Sequence, residues 1–236
     1  PWDAQRTSAN TKNYNGKIVV GGQGISSELN AHSKNEIGMT QSFAAYAKQN
    51  ELCNYFIQGD GEESLLALLS GNTLYPGING LMPPQQINDL DSLPINDYSL
   101  IPPTDYYPSH VPGVYITASR GCIRKCSFCN VPDLWPKFKM RSPESIVAEI
   151  KHNADHGAQV FQFTDSLING DLKKWREINK QLAELRKDEK YKNIKYLGQF
   201  VCRPRTQQTE EDWYWFAQGG MDAVVVGFES FSPHVR

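Results

Sequence analysis

Val114-Tyr-Ile-Thr-Ala-Ser-Arg-Gly-Cys122-Ile-Arg-Lys-Cys126-Ser-Phe-Cys129 decides the fold. Val114–Thr117 reads as a short strand, and three cysteines spaced C-x3-C-x2-C follow on one loop at its C-terminal end. Three thiolates so placed can hold three irons of a 4Fe–4S cluster and leave the fourth without a protein ligand, an open chemical position. A structural zinc site wants four closed ligands. Cys202 and the histidines, the nearest extra candidates, lie at neither ribbon nor finger spacing. A disulfide framework belongs to small, cysteine-dense secreted domains, and this chain has five cysteines in 236 residues.

C-terminal to the loop, strand and helix alternate. Ser142-Pro143 has the form of an N-cap followed by proline at the first helical position, with Ile146, Val147 and Ile150 as the buried stripe. Val160–Thr164 is the next strand. Asp171 caps a helix carrying Leu172, Trp175, Ile178, Leu182 and Leu185 at helical spacing. Ile194–Val201 is a third strand, Thr209 caps a helix with Trp213 and Phe216, and Ala223–Val226 is a fourth strand ending in Gly227-Phe-Glu-Ser230. Four β/α steps with polar residues at the strand C-termini have the pattern of a β/α barrel, whose chemistry sits at that end.

N-terminal to the loop, residues 71–113 hold eight of the 14 prolines. Proline fixes φ and removes a donor, so this stretch is an extended connector. Leu93-Pro94 and Tyr98–Ile101 lay it against a surface. Residues 1–70 again alternate. Lys17–Val20 is a strand breaking at Gly21-Gly22, a helix is expected from Thr40 through Phe43, Ala44, Tyr46 and Ala47, and Asn54–Gln58 is a second strand. That strand ends at Gly59-Asp-Gly-Glu-Glu63, and a helix follows to Leu69. The expectation is a parallel sheet with ligands at its strand C-termini.

The net charge of −2 gives no global field toward nucleic acid or an anionic membrane. No apolar run approaches the roughly 20 residues of a membrane span. No N-terminal targeting pattern is visible, and unpaired cysteines favour a reducing cytoplasm. Between Arg120 and Arg141 six basic residues (Arg120, Arg124, Lys125, Lys137, Lys139, Arg141) face one acid, Asp133. They read either as a solvated face or as cations that offset an anionic cluster and dock an acidic donor such as a reduced flavodoxin or ferredoxin.

The cysteine motif with its Ser119-Arg-Gly lead resembles the radical S-adenosylmethionine enzymes, in particular their cobalamin-binding-domain subgroup. Val20-Gly-Gly, Gly59-Asp-Gly-Glu-Glu63, Leu93-Pro94, Asp97-Tyr98, Phe161-x-Phe-x-Asp165 and Gly227-Phe-Glu-Ser230 fit the same group. The resemblance implies an α/β chain in three parts. A partial Rossmann-like, cobalamin-binding-type domain spans 1–70, a Pro-rich connector 71–113, and the N-terminal part of a radical SAM barrel 114–236. Such barrels close about six β/α units and four are present, so the chain reads as truncated, beginning without a methionine.

It also implies roles. Cys122, Cys126 and Cys129 would ligate the cluster, whose open iron would bind the amino and carboxylate groups of S-adenosylmethionine. Phe128 would pack near the adenine, Asp165 would contact cofactor or substrate, Arg203 would pair the methionine carboxylate, and Glu229 would hold the ribose or methionine end. Gly21, Gly22, Gly59, Gly61 and Glu62 would face the nucleotide tail of a cobalamin. The Asp-x-His-x-x-Gly motif of many cobalamin proteins is absent, as it often is in this subgroup, and a vestigial domain that binds nothing stays open.

The implied reaction is reductive cleavage of S-adenosylmethionine to methionine and a 5′-deoxyadenosyl radical acting on a small-molecule or peptide substrate, with cobalamin-dependent methyl transfer or related C–H functionalisation as its use. A methylthiotransferase is the alternative within this chemistry. It would carry three more cysteines in its first domain, where only Cys53 stands. A non-catalytic iron–sulfur carrier or a zinc-stabilised module is the alternative outside it. Cys53 and Cys202 read as small buried hydrophobes and not as ligands, and His152 and His156, four apart without the glutamate of a zincin, do not read as a metal pair.

Overall fold

The structure, a computed structural model, describes residues 16–22, 51–80, 82, 85–101, 103, 111–230 and 232. The helix expected from Thr40 lies outside the described residues. The chain forms two compact units, one of residues 1–87 and 126–136, the other of residues 88–125 and 137–236.

In the first unit, β1 (Val19–Val20) pairs in parallel with β2 (Tyr55–Phe56), Val19 opposite Tyr55 and Val20 opposite Phe56. The Asn54 N–H donates to the Ile18 carbonyl and that of Ile57 to the Val20 carbonyl, at 2.9 and 2.8 Å, extending the ladder beyond the two-residue strands. Ile18 and Val20 pack on buried Leu52 and Cys53. Helix α1 (Gly61–Leu69) starts directly after the glycine turn, with Glu62 and Glu63 in its first turn, where the helix dipole favours acids. Its Ser64 hydroxyl donates to the Pro76 carbonyl at 2.9 Å and fastens the returning chain. A short helix, α2 (Val131–Leu134), has proline in its first turn and buries Val131 and Leu134.

The second unit is built on four parallel strands in the order β3 (Gly113–Ile116), β6 (Val160–Phe163), β7 (Lys195–Gln199), β8 (Met221–Val225). Sequence neighbours are sheet neighbours, as β/α repetition requires. Helices α3 (Pro143–Asp155), α4 (Leu172–Leu185) and α5 (Glu210–Gln218) connect the later strands. Their boundaries follow the capping chemistry. The Ser142 side chain accepts the Ser145 N–H, the Asp171 carboxylate accepts that of Lys174, and Thr209 with Asp212 forms a capping box.

Strand side chains alternate between two faces. Val114, Ile116, Phe161, Phe163 and Tyr196 are buried with Ile146, Ile150, Trp175, Ile178, Leu182 and Phe216 of the helices. Phe163, Trp175 and Tyr196 meet edge to face with centroids 5.4–5.7 Å apart, each pair adding about 0.5–1.5 kcal/mol beyond area burial. The other face carries Tyr115, Thr117, Thr164, Gln199 and Val225, all exposed or half-buried.

Described residues of the connector between 90 and 98 make polar contacts within the second unit. Tyr98 packs against the core, and its hydroxyl donates to the Tyr115 carbonyl at 2.8 Å. The Asn96 N–H donates to the Glu149 carboxylate and that of Tyr98 to the Asn153 side-chain Oδ1, at 3.2 and 3.1 Å. A 3-10 turn at Leu90–Ser92 presents Asp91, whose carboxylate accepts the Ser142 N–H at 3.0 Å.

Candidate cofactor site at the cysteine loop and glycine cavity

After β3 the chain enters β4 (Ser119–Arg120), which pairs antiparallel with β5 (Lys139–Met140), Ser119 opposite Met140 and Arg120 opposite Lys139. This two-rung ladder closes the neck of the cysteine loop. Gly121 sits in the neck at φ +87°, where a Cβ would stand 2.9 Å from the Lys137 carbonyl oxygen, so both conformation and space require glycine.

None of the five cysteines is in a disulfide. Cys126 is exposed, Cys122 and Cys129 half-buried and Cys53 buried, whereas Cys202, expected as a buried hydrophobe, is exposed. The Arg124 N–H donates to Cys122 Sγ at 3.4 Å, and the Cys129 N–H to the Cys126 carbonyl at 3.1 Å. Among the described residues no three His, Cys, Asp or Glu side chains converge as a single ion would require. An iron–sulfur cluster takes each thiolate on a separate iron and does not need them at one point. Three accessible, unbridged thiols on a short loop, one already accepting an amide N–H, suit the donor set of such a cluster, whose potential is tuned by hydrogen bonds to its sulfurs. Phe128 projects from the loop with 69% of its surface exposed.

Asp165, just beyond β6, is 2% exposed. Its Oδ2 accepts the Ala118 N–H at 3.0 Å and its Oδ1 the Ser119 hydroxyl. Burial pushes its carboxyl up to about 6, against the opposing pull of the Ser119 and Ala118 hydrogen bonds. Both oxygens thus face the segment that leads into the cysteine loop. Beside it the Thr117 and Thr164 hydroxyls hydrogen-bond each other at 2.7 Å. Arg203 donates through Nη2 to the carbonyls of Asn169 and Gly170, at 2.8 and 2.9 Å, while its Nε is buried without a partner. Glu229 is exposed and folds back toward Gly227, where a Cβ would meet its Oε1 at 2.8 Å.

In the first unit, Gly21, Gly22, Gly59, Gly61 and Glu62 line one cavity of about 430 Å³ at the C-terminal ends of β1 and β2, with Val19, Val20, Ile57 and Leu65. All five residues marked in the sequence for a nucleotide tail share its wall. Gly22 and Gly59 have φ of +96° and +79°, so the lining backbone follows a path that side-chain-bearing residues rarely take. Asp60 stands between Gly59 and Gly61, and nothing in its sequence neighbourhood marks it beyond a turn. It is 6% exposed and accepts the Ile87 N–H at 2.7 Å and the Trp135 indole N–H at 2.8 Å.

The basic residues do not form one face. Arg141 is buried against Glu149, Ser145 and the Thr117 carbonyl, and Lys139 donates to Asn88 at 3.0 Å. Arg124, Lys125 and Lys137 are exposed. His152 meets Asp97 at 3.1 Å and lies 4.7 Å from the His156 ring, on the helix face that meets the connector.

Residues 116–236, just over half of the chain, match the radical SAM superfamily. The chain belongs to the radical SAM superfamily. This family uses a 4Fe–4S cluster and S-adenosylmethionine. The match opens at the end of β3 and takes in the whole cysteine loop. An uncharacterized methyltransferase of Pyrococcus horikoshii is 25% identical over 195 residues, covering 76% of this chain and 41% of that protein. The ribosomal protein uS12 methylthiotransferase RimO of Clostridium novyi is 35% identical over 86 residues, covering 35% of this chain and 19% of its own. The radical S-adenosylmethionine methyltransferase TsrM from Kitasatospora setae, solved with cobalamin and a 4Fe–4S cluster bound, superposes with a TM-score of 0.68 at 18% identity. That superposition covers 98% of this chain and 45% of TsrM, and it establishes a shared fold. This radical SAM chain thus spans less than half the length of the methyltransferases it matches.

Proposed function

We propose that this radical SAM chain belongs to an enzyme that cleaves S-adenosylmethionine reductively and uses cobalamin in methyl transfer or a related C–H functionalisation. The observation that carries the cobalamin part is the cavity at the ends of β1 and β2, lined by the five residues that the sequence pattern marks for it. When bound, the cluster supplies one-electron reduction of the sulfonium, and cobalamin supplies a methyl carrier. The three parts, residues 1–70, 71–113 and 114–236, serve as cobalamin platform, connector and radical SAM barrel.

The chain's own residues supply binding and orientation. Cys122, Cys126 and Cys129 would hold three irons of the cluster, and the Arg124 N–H, which donates to the Cys122 sulfur, would offset charge there. Phe128, exposed in the protein alone, is free to cover an adenine. Asp165 shapes the approach to the loop, and Glu229, being exposed, is available to a ribose or amino group. Arg203 has committed one nitrogen to backbone carbonyls, so any pairing with a carboxylate uses the rest of its guanidinium. Exposed Arg124, Lys125 and Lys137 offer a footing for an acidic, flavodoxin- or ferredoxin-type reductant.

The methylthiotransferase reading is supported by the RimO similarity, but Cys53 is 6% exposed and packs with Leu52, Ile18 and Val20 as a hydrophobe. The deciding experiment is electron paramagnetic resonance on anaerobically reconstituted, dithionite-reduced protein, with and without S-adenosylmethionine. A cluster signal that shifts with the cofactor and is absent in Cys126→Ala supports the reading. A zinc-loaded protein without sulfide, or a cluster indifferent to the cofactor, overturns it.

A further inference from the structure

We propose that Asp60 and Asp165 are positioning residues, Asp165 for the segment that enters the cysteine loop in the second unit and Asp60 for the segment that leaves it in the first, each acting within its own unit. The inference rests on the reading of that loop as a cluster site and adds to it how the loop is kept in place.

A ligand loop without regular structure must hold three thiolates at fixed separations. Ordering its backbone costs roughly 1–2 kcal/mol per residue, so fixing the flanking residues lowers that cost at each end separately. The N-terminal end is fixed by Asp165. Its carboxylate, 2% exposed, takes the Ala118 N–H at one oxygen and the Ser119 hydroxyl at the other, just ahead of Cys122. The C-terminal end is fixed by Asp60. Its Oδ1 accepts the indole N–H of Trp135, the residue that ends α2, and its Oδ2 accepts the Ile87 N–H. Helix α2 begins two residues after Cys129, and the Trp135 N–H donates to the Val131 carbonyl at 2.9 Å, so the tie on Trp135 is passed along one helical turn toward the thiols.

Asp60 also occupies the N-cap position of α1, where aspartate ordinarily accepts an N–H of the first turn, yet its side chain makes no capping hydrogen bond there. Its carboxylate is aimed at Trp135 and Ile87 instead. A buried carboxylate costs free energy unless its oxygens are satisfied. Here each of the two offsets part of that cost with donors drawn from the segments flanking the loop or from the connector.

The test uses the full chain, first metal-free. Amide hydrogen exchange and the iodoacetamide alkylation rates of Cys122 and Cys129 are measured in wild type, Asp60→Asn and Asp165→Asn. An asparagine turns an NH2 toward one of the two donors. Asp165→Asn is expected to speed exchange at Ala118 and alkylation at Cys122 on the order of tenfold, the effect of losing one charge-assisted hydrogen bond. Asp60→Asn is expected to do the same at Ile87 and Cys129. Exchange at Ile178 and Leu182 in the core stays at the wild-type rate in both. Ser119→Ala and Trp135→Phe each delete one donor, and they give the same local reading if the aspartate variants do not fold.

Iron content after anaerobic reconstitution falls in each variant. Unchanged local exchange, a rise spread evenly through the core, or full iron uptake despite a loosened loop would each overturn the proposal. Wild-type protein that takes up no cluster would instead sink the cluster reading, while the metal-free measurements would still decide whether the two carboxylates hold the loop.

Discussion

Arg141 and Glu149 form an ion pair with only 9% and 1% of their side-chain surfaces exposed. The same guanidinium donates to the Ser145 hydroxyl at 2.7 Å and to the Thr117 carbonyl at 3.1 Å, while the second oxygen of Glu149 accepts the Asn96 N–H at 3.2 Å. The pair therefore joins the exit of the cysteine loop, the end of β3, α3 and the connector. Removing one partner strands a buried charge. Glu149→Ala should cost about 3–5 kcal/mol, read as a fall in denaturation midpoint. The Arg141→Met, Glu149→Leu double variant should cost clearly less than the sum of the single changes, a coupling that a double-mutant cycle measures.

Asp165 sets a pH dependence. Its folded carboxyl titrates at about 6, above the 3.8 of an unperturbed aspartate. The folded state therefore binds the proton more tightly than the unfolded chain. This contribution to stability is full below about 3.8 and is lost as pH rises through about 6. The total is on the order of 3 kcal/mol for a shift of about two pH units. Denaturation midpoints of wild type and Asp165→Asn, compared between pH 4 and 7, should show the wild-type stability falling with pH relative to the variant. Parallel curves would contradict this.

The neck of the loop tolerates no side chain. Gly121→Ala meets both a φ of +87° and a Lys137 oxygen at 2.9 Å, whereas Gly157→Ala meets a φ of +100° in open space. The Gly157 change should cost about 1–2 kcal/mol, the conformational penalty alone. The Gly121 change should cost more and should lower iron uptake, which Gly157→Ala leaves intact.

Filling the glycine cavity should block its ligand without unfolding the domain. Gly61 has no positive φ, and a Cβ there would meet only Ile57 Cγ2, at 3.9 Å. Gly61→Val should change stability by about 1 kcal/mol or less while weakening hydroxocobalamin binding tenfold or more, followed by its visible absorbance. Equal binding by variant and wild type would remove cobalamin from this cavity.

The alternation of strands and helices in the second unit is legible because local chemistry marks each boundary. Ser142-Pro143, Asp171 and Thr209 all stand at helix starts, and the apolar stripes of α3 and α4 are the buried ones. The cavity is legible for the same reason, since glycines follow two strands. The β4–β5 pair is not, because two-residue strands separated by the whole cysteine loop show no period. Arg141 counts as a surface cation in any charge tally. Its burial depends on Glu149 and on a carbonyl at the end of β3, which composition does not reveal. Asp60 looks like a turn residue or a helix cap, because its partners, Ile87 and Trp135, are remote in sequence. Asp165 is legible as a polar residue at a strand end; that both its oxygens turn to the β3–β4 segment is not.

The two-rung ladder between Ser119–Arg120 and Lys139–Met140 has a consequence for the life of the protein in an oxidising world. It returns the chain to the start of α3, and the packed aromatic core of the second unit contains none of the loop cysteines. On the proposed cluster reading, oxygen that strips the iron is expected to leave that core intact and the thiols open to refilling.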